Sequence, residues 1–211
     1  MITREELKSI LLKSDITKST HLSQVREILA SAGLSKKDCL VTDGASKICI
    51  VLKKADFVIK WSTCYYCEND YDEAYDEVLI YEKAVKAGLE AFFPKTEIFC
   101  THNEVTFVMQ EKVDFSTSNL PIKKDDRYSY KTRNVSPYII EKMNGCFSQM
   151  SRGRELNPLW ASMAIILYGK RKCKALCKFI IENSINDLHG SNIGYLKDKP
   201  IILDFSGYHR D

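Results

Sequence analysis

The sequence has no long hydrophobic run and no apolar leader. No uninterrupted apolar segment in its 211 residues approaches the stretch of about 20 that spans a bilayer. The chain starts with the largely polar residues Met1 to Lys8, which lack the apolar centre of a secretion signal. We therefore expect a cytoplasmic protein without membrane contact.

An excess of one charge is missing as well. The chain has 31 Lys and Arg residues and 28 Asp and Glu residues, and its formal net charge is only +3. Nucleic-acid binding depends on clustered cations that neutralise phosphates, so we expect no specific nucleic-acid binding. With 45% hydrophobic residues, the chain can form a core as one domain or as two small lobes.

Cysteine is present, with eight residues. Without a secretion signal, these residues indicate a reducing compartment and free thiols rather than a disulfide framework. Two pairs, Cys64 with Cys67 and Cys173 with Cys177, provide the thiolates of a zinc site in one interpretation. The second pair has helical spacing, and we favour the other interpretation, in which small cysteine side chains pack in the interior.

Hydrophobic periodicity predicts two helices at the start of the chain. The segment from Thr3 to Glu6 is a capping box that opens the first helix. A second helix is predicted from Leu22 to Ala32, with Ser19 or Thr20 as its N-cap and Gly33 at its end. We expect the apolar faces of both helices to pack on the rest of the protein, and docking of a partner is the alternative.

Short β-prone segments follow. Three of them are separated by turns, and two more come after a helix. The predicted strands cover residues 39–42, 47–52, 57–61, 96–100 and 105–109, and the helix covers residues 77–88 with its apolar face at positions 78, 81, 85 and 89. This order predicts a roughly five-stranded antiparallel sheet with one inserted helix.

The second half of the chain is mostly helical in its periodicity. After a predicted loop at 114–134, helices are predicted over 137–150, 158–168 and 170–183 with a break at Gly169, then a hairpin over 193–196 and 200–204 through 197–199. The predicted class is α+β. Its predicted regions are an N-terminal helical extension (1–36), a small β-rich lobe (37–113), a linker (114–135) and a reduced helical lobe (136–211).

Two polar motifs flank the predicted hairpin. Asp187-Leu-His-Gly-Ser-Asn192 precedes it, and Asp204-Phe-Ser-Gly207 ends it. Phosphoryl transfer requires a lysine for the phosphates, acidic and amide ligands for magnesium, and a carboxylate near the attacking hydroxyl. We expect the hairpin to bring the side chains of Asp187, Asn192 and Asp204 together.

The motifs resemble those of the protein-kinase-like superfamily, and among its members the compact kinases encoded by bacteriophages in particular. The resemblance covers residues 39–207 and implies a two-lobed kinase-like fold that binds ATP and magnesium. It implies that Asp187 orients or deprotonates the acceptor hydroxyl and that Asn192 and Asp204 bind the metal. It also implies that His189 binds the transferred phosphate. A histidine in a surface turn is the alternative for His189.

The same resemblance assigns a phosphate-binding lysine upstream. Phe57-Val-Ile-Lys60 resembles the lysine motif of the third kinase strand, in which the lysine contacts the phosphates and pairs with a glutamate of the following helix. Glu77 is the expected partner of Lys60, and Glu73 is the alternative.

The remaining expected nucleotide contacts come from two connecting segments. The turn after the first strand takes the place of a glycine-rich loop although it has a single glycine, and Gly44 and Ser46 are expected near the phosphates. The resemblance also implies that Met109 is the gatekeeper side chain. The backbone of Gln110 and of Lys112 is expected at the edge of the adenine.

Four residues follow Gly207, so we expect neither an activation segment nor peptide-docking helices. The resemblance implies an ATP- and magnesium-dependent phosphotransferase that phosphorylates a protein hydroxyl, and hence an unidentified protein substrate as partner. The alternatives are a pseudokinase that acts as a binding or inhibitory module, a small-molecule phosphotransferase, and transfer of AMP instead of phosphate. The sequence leaves the oligomeric state open.

Overall fold

The computed structural model describes residues 2–44, 46–63, 72–113, 158–185, 188 and 192–206. The chain divides into two compact units, Met1–Leu79 with Lys95–Lys112 and Ile80–Pro94 with Val113–Asp211. The α+β class and the five-stranded antiparallel sheet are confirmed. The domain boundaries drawn from the sequence stay predictions.

The first unit contains the sheet, whose strand order is β1-β2-β3-β5-β4 with antiparallel neighbours. The strands are β1 Cys39–Asp43, β2 Lys47–Leu52, β3 Phe57–Ser62, β4 Thr96–His102 and β5 Val105–Glu111. The five predicted strands are therefore confirmed. The turn between β4 and β5 has positive φ angles at Asn103 and Glu104.

The two N-terminal helices are α1 Arg4–Leu12 and α2 Leu22–Ser31. The capping box of α1 is confirmed, since Thr3 Oγ1 accepts a hydrogen bond from the Glu6 N–H at 3.2 Å. The predicted N-cap of α2 is wrong. Position 21 is the N-cap, and the His21 N–H donates to Gln24 Oε1 at 2.8 Å, whereas Thr20 Oγ1 accepts from the Thr17 N–H in the preceding turn.

Both helices bury their apolar faces on one face of the sheet. Leu7, Leu11, Val25 and Leu29 share a buried cluster with side chains from all five strands, among them Val41, Ile50, Ile59, Cys100 and Phe107. The expectation that these helices pack on the rest of the protein is confirmed. Burial of this apolar surface is the main term that holds the helices in place.

Helix α3, Glu73–Lys86, starts earlier than predicted. Its first turn is capped by Asp72 Oδ1, which accepts the Tyr75 N–H at 3.0 Å, and by Ser62 Oγ, which accepts the Ala74 N–H at 2.8 Å. The predicted apolar face is partly wrong, since Val85 is 48% exposed. The buried face of α3 instead includes two glutamates and two alanines beside two apolar side chains, namely Glu73, Ala74, Glu77, Val78, Ile80 and Ala84.

The second unit contains a short 3-10 helix, Glu90–Phe92, and helix α4, Pro158–Glu182. The break predicted at Gly169 is confirmed: its φ of 81° and ψ of 155° interrupt the helical geometry, and glycine adopts a positive φ without the steric cost that Cβ imposes. Just before the break, the Tyr168 hydroxyl is 2.8 Å from the Ala91 carbonyl oxygen and 3.2 Å from that of Pro200.

The predicted hairpin of the second unit is present as β6 Ile193–Leu196 and β7 Lys199–Ile202. Its turn is one residue shorter than predicted, because Lys197 and Asp198, with φ angles of 50° and 64°, connect the strands on their own. The hairpin packs on α4, where Trp160 Nε1 donates to the Ile201 carbonyl at 3.0 Å.

Two predictions lie outside the described residues, namely the loop at 114–134 and the helix at 137–150. Within the part of the chain that the structure does describe, no helix combines the length and the apolar character needed to cross a membrane.

Candidate functional site

The sheet of the first unit has a second face, opposite the N-terminal helices. Alternate side chains of a strand point to opposite faces, so Lys60 and Val58 of β3 lie on the other side from Ile59 and Trp61. Helix α3 packs on this second face, where Ala74 and Val78 contact Val108 of β5 in a small buried cluster. The polar residues of the candidate site lie here.

Lys60 forms the ion pair that the sequence predicts. Its Nζ is 3.0 Å from Oε2 of Glu77, whose side chain is fully buried. Of the two candidate glutamates, the structure therefore joins Lys60 to Glu77. A buried carboxylate needs such a charge-assisted contact, because loss of its hydration shell is costly.

A second lysine contacts the same carboxylate. Lys47 Nζ is 2.9 Å from Glu77 Oε1 and 3.7 Å from Glu73 Oε2, and its side chain is 10% exposed. Sequence reasoning missed this residue. The signal was available in the strand register: Cys49 is opposite Lys60, so Lys47 is a diagonal neighbour of Lys60 on the same face.

Gln110 of β5 enters the cluster through its side chain. Its Nε2 donates to Glu77 Oε2 at 3.1 Å and to Thr96 Oγ1 at 3.2 Å. Its Oε1 is buried and has no hydrogen-bond partner among the described residues. The carboxylate of Glu77 thus receives donors from three side chains that lie on different strands.

The turn between β1 and β2 does not require a glycine at position 44 for lack of space. The Gly44 N–H donates to the Lys47 carbonyl at 2.8 Å, and a Cβ at this position would meet that oxygen at an ordinary 3.9 Å. The Ser46 hydroxyl donates to Glu73 Oε2. The expected phosphate contacts of Gly44 and Ser46 stay predictions, and both groups are engaged within the first unit.

The expected gatekeeper lies on the other face of the sheet from Lys60, and the expected hinge contacts stay predictions. The Met109 side chain belongs to the cluster beneath the N-terminal helices, on the opposite face from Lys60. The Lys112 N–H donates to the Asp56 carbonyl at 2.7 Å, and the backbone of Gln110 lies between β3 and β4. These backbone groups are therefore used inside the sheet. A β-strand alternates its side chains, and a segment match alone does not fix which of them faces the site.

An apolar surface accompanies the lysines on their face of the sheet. Leu40 of β1 is 53% exposed and is paired with Val51 of β2, which is paired with Val58 of β3. Leu40 and Val51 were also missed by sequence reasoning, since an alternating strand pattern predicts only that one set of side chains is exposed.

In the second unit, Asn192 and Asp204 are brought together by the hairpin. The Asn192 carbonyl accepts the N–H of Leu203 at 2.8 Å and that of Asp204 at 3.4 Å. The intervening strands bury Ile193, Tyr195, Ile201 and Ile202. Phe205, directly after Asp204, is fully buried and meets the Phe93 ring edge-on with centroids 5.0 Å apart.

The other two predicted catalytic residues, Asp187 and His189, lie outside the described residues. The residue between them, Leu188, is fully buried in the core of the second unit. Of the proposed zinc ligands, Cys64 and Cys67 also lie outside. Cys173 is buried in the same core, and burial raises the pKa of its thiol to about 12.

Comparison of the chain with protein-family models, with curated proteins and with solved structures gave no match.

The chemical capacity of the two groups follows from their atoms. The first unit presents two ammonium groups that are ion-paired with buried carboxylates, and ammonium groups are hydrogen-bond donors for anionic oxygens. The second unit presents a carboxylate and an amide oxygen from adjacent backbone segments, which are hard ligands of the kind magnesium prefers. Over the described ranges, no cluster of three or more His, Cys, Asp or Glu side chains suited to a metal ion occurs. Magnesium commonly uses only one or two protein ligands together with substrate phosphates.

Proposed function

We propose that this protein is an ATP- and magnesium-dependent phosphotransferase with a two-lobed, protein-kinase-like fold, and that it phosphorylates a protein hydroxyl. The observation that carries the proposal is the buried ion pair between Lys60 on β3 and Glu77 on α3. In kinases, the lysine of the third strand and a glutamate of the following helix form such a pair, which positions the lysine for the nucleotide phosphates.

The surroundings of Lys60 are suited to a nucleotide. Lys60 would bind a phosphate oxygen while Glu77 keeps its ammonium group in place. The apolar side chains of Leu40 and Val51 lie on the same face and would supply a surface for the flat base.

The hairpin residues are suited to the metal. Asn192 and Asp204 would hold magnesium through their side-chain oxygens, and the hydrogen bonds to the Asn192 carbonyl keep the two residues adjacent. When bound, magnesium neutralises charge on the phosphates and makes phosphoryl transfer easier. By the resemblance, Asp187 would orient the acceptor hydroxyl.

Transfer of label from γ-labelled ATP to proteins of a lysate tests the proposal. We expect transfer by the wild-type protein, and a decrease of about a hundredfold or more in Asp204→Asn and in Lys60→Met, because the first change removes a magnesium ligand and the second removes a contact to the phosphates. Asp198→Asn is the matched control: it is the same substitution in the same hairpin, at an exposed turn residue.

Two results would contradict the proposal. One is a folded wild-type protein that neither transfers label nor binds ATP with magnesium. The other is transfer that survives Asp204→Asn at the rate of the Asp198→Asn control. Binding of ATP without transfer to any acceptor would instead support a nucleotide-dependent binding module. Because the γ-label leaves with pyrophosphate when AMP is transferred, a parallel reaction with α-labelled ATP and mass spectrometry of its products distinguishes phosphate from AMP.

A further inference from the structure

The buried cluster of the first unit contains one more cation than the kinase resemblance accounts for. Lys47 and Lys60 each contact one oxygen of Glu77, at 2.9 Å and 3.0 Å. The resemblance gives a role to Lys60 but none to Lys47. Because the two lysines share a single carboxylate, their ammonium groups are held next to each other on one face of the sheet.

The burial of these groups follows a definite order. The Glu77 side chain is fully buried, whereas the side chains of Lys47 and Lys60 keep 10% and 9% of their exposure. The lysine side chains therefore keep a small contact with the surface, while the carboxylate that positions them has none. Glu73, which is 3.7 Å from Lys47, balances the second positive charge.

The neighbouring turn leaves a phosphate-binding role that a second lysine could fill. A glycine-rich loop binds phosphates through backbone N–H groups. Here the Gly44 N–H donates to Lys47 within the hairpin, and the Ser46 hydroxyl donates to Glu73. Lys47 is the first residue of β2, directly after this turn. Its positively charged side chain contacts Glu77, the partner of Lys60.

We propose that Lys47 is a second phosphate-binding lysine, which acts beside Lys60 on the polyphosphate of the nucleotide and supplies phosphate contacts that a glycine-rich loop provides through its backbone N–H groups. This inference rests on the proposed function. The expected ligand of the site has at least two adjacent phosphates, because two neighbouring ammonium groups can each pair with a separate anionic group.

Equilibrium binding to the full-length protein tests the assignment. The probes are ATP, AMP, adenosine and inorganic tripolyphosphate, each measured by competition with a fluorescent ATP analogue and by direct calorimetry. The variants are Lys47→Met and Lys47→Gln, and the second keeps an N–H donor for Glu77 so that the cluster stays hydrogen-bonded. Lys53→Met is the matched control, since Lys53 follows the end of the same strand and is exposed.

We expect both Lys47 variants to lose about tenfold in affinity for ATP and for tripolyphosphate, while adenosine binding changes by less than about twofold. AMP should show a smaller loss than ATP, because it carries a single phosphate. A purely structural lysine would alter the thermal stability but would change the affinities for ATP and adenosine by the same factor.

The outcomes separate this inference from the function on which it rests. If the wild-type protein binds ATP and transfers phosphate but the Lys47 variants bind ATP as tightly as Lys53→Met does, only the role of Lys47 is overturned. If the folded wild-type protein binds neither ATP nor tripolyphosphate, the proposed function and the role of Lys47 are both overturned. If Lys47→Met does not fold, Lys47→Gln decides.

Discussion

Glu77 in the first unit and Asp204 in the second are the two described carboxylates on which the proposed activity depends, and their surroundings differ. Glu77 is fully buried and accepts hydrogen bonds from two lysines and a glutamine. Asp204 is only partly buried, and the hydrogen bonds that keep it next to Asn192 are made by the backbone. Glu77 therefore contributes to the stability of the first unit. Replacing Asp204 should impair the proposed activity while changing the stability of the second unit little.

Replacing Glu77 should have the largest effect on stability. Glu77→Gln removes the charge that pairs with Lys47 and Lys60 and leaves both cations partly uncompensated in a buried site. We expect the free energy of unfolding to fall by about 3 to 5 kcal/mol, the usual cost of breaking a buried ion pair by removing one partner. Asp204→Asn should cost less than about 1 kcal/mol.

Urea titration can follow each unit with its own fluorophore. The chain has two tryptophans, Trp61 in the first unit and Trp160 in the second, and both are buried. Trp160→Phe leaves a reporter for the Glu77 variant, and Trp61→Phe leaves one for the Asp204 variant. Glu27→Gln on the exposed side of α2, in the same unit, is the control for Glu77→Gln. Equal losses for Glu77→Gln and Asp204→Asn would contradict the comparison.

The elements of the fold were predictable from local patterns. The alternation of apolar and polar residues, together with turn residues, predicted the strands. The capping box of Thr3 and Glu6 predicted the start of one helix, and Gly169 predicted the break in another, because these effects are local. The early start of α3 depends on a local signal that was missed, the cap by Asp72, and on a tertiary contact that local patterns do not show, in which Ser62 of a strand accepts the Ala74 N–H.

The candidate site was predictable where it follows a motif and not where it depends on strand register. Lys60 and Glu77 were found because their spacing follows a known pattern, and Asn192 with Asp204 because a short hairpin joins them. Lys47 and the side chain of Gln110 were missed, and Met109, the expected gatekeeper, lies on the face opposite Lys60. Each of these depends on which side of a strand faces α3, and a shift of one residue reverses that assignment.

Gln110 provides a smaller test of the buried cluster. Gln110→Leu removes the N–H donor to Glu77 and also removes the Oε1 atom that has no partner among the described residues. These two consequences oppose each other, so we expect a net loss of about 1 to 2 kcal/mol in the free energy of unfolding, well below that of Glu77→Gln. The Trp61 fluorescence in urea is the measurement. A loss as large as that of Glu77→Gln would show that the lysines alone do not hold the carboxylate.

In the second unit, burial is the main cause of the raised pKa of three side chains. Burial raises the pKa of Cys173 and that of Tyr195 to about 12 each. Burial also raises the pKa of Tyr168 to about 12, with a smaller contribution from Cys173. In each case the neutral form is favoured by folding. Their contributions to stability are therefore present in full at neutral pH and are lost as the pH rises.

The smallest expected effect is the alkaline contribution of Cys173. Its thiol ionises near the ordinary value of 9.0 in the unfolded chain and near 12 in the folded one. The stabilisation is complete below pH 9 and falls through the interval up to pH 12, by about 1 kcal/mol at pH 10. Cys173→Ala should therefore lose less stability than the wild type between pH 8 and pH 10, measured by urea titration of Trp160. Cys177→Ala, at a partly exposed position of the same helix, should keep the wild-type dependence. Equal pH dependence in all three proteins would mean that the Cys173 thiol ionises alike in the folded and unfolded chains.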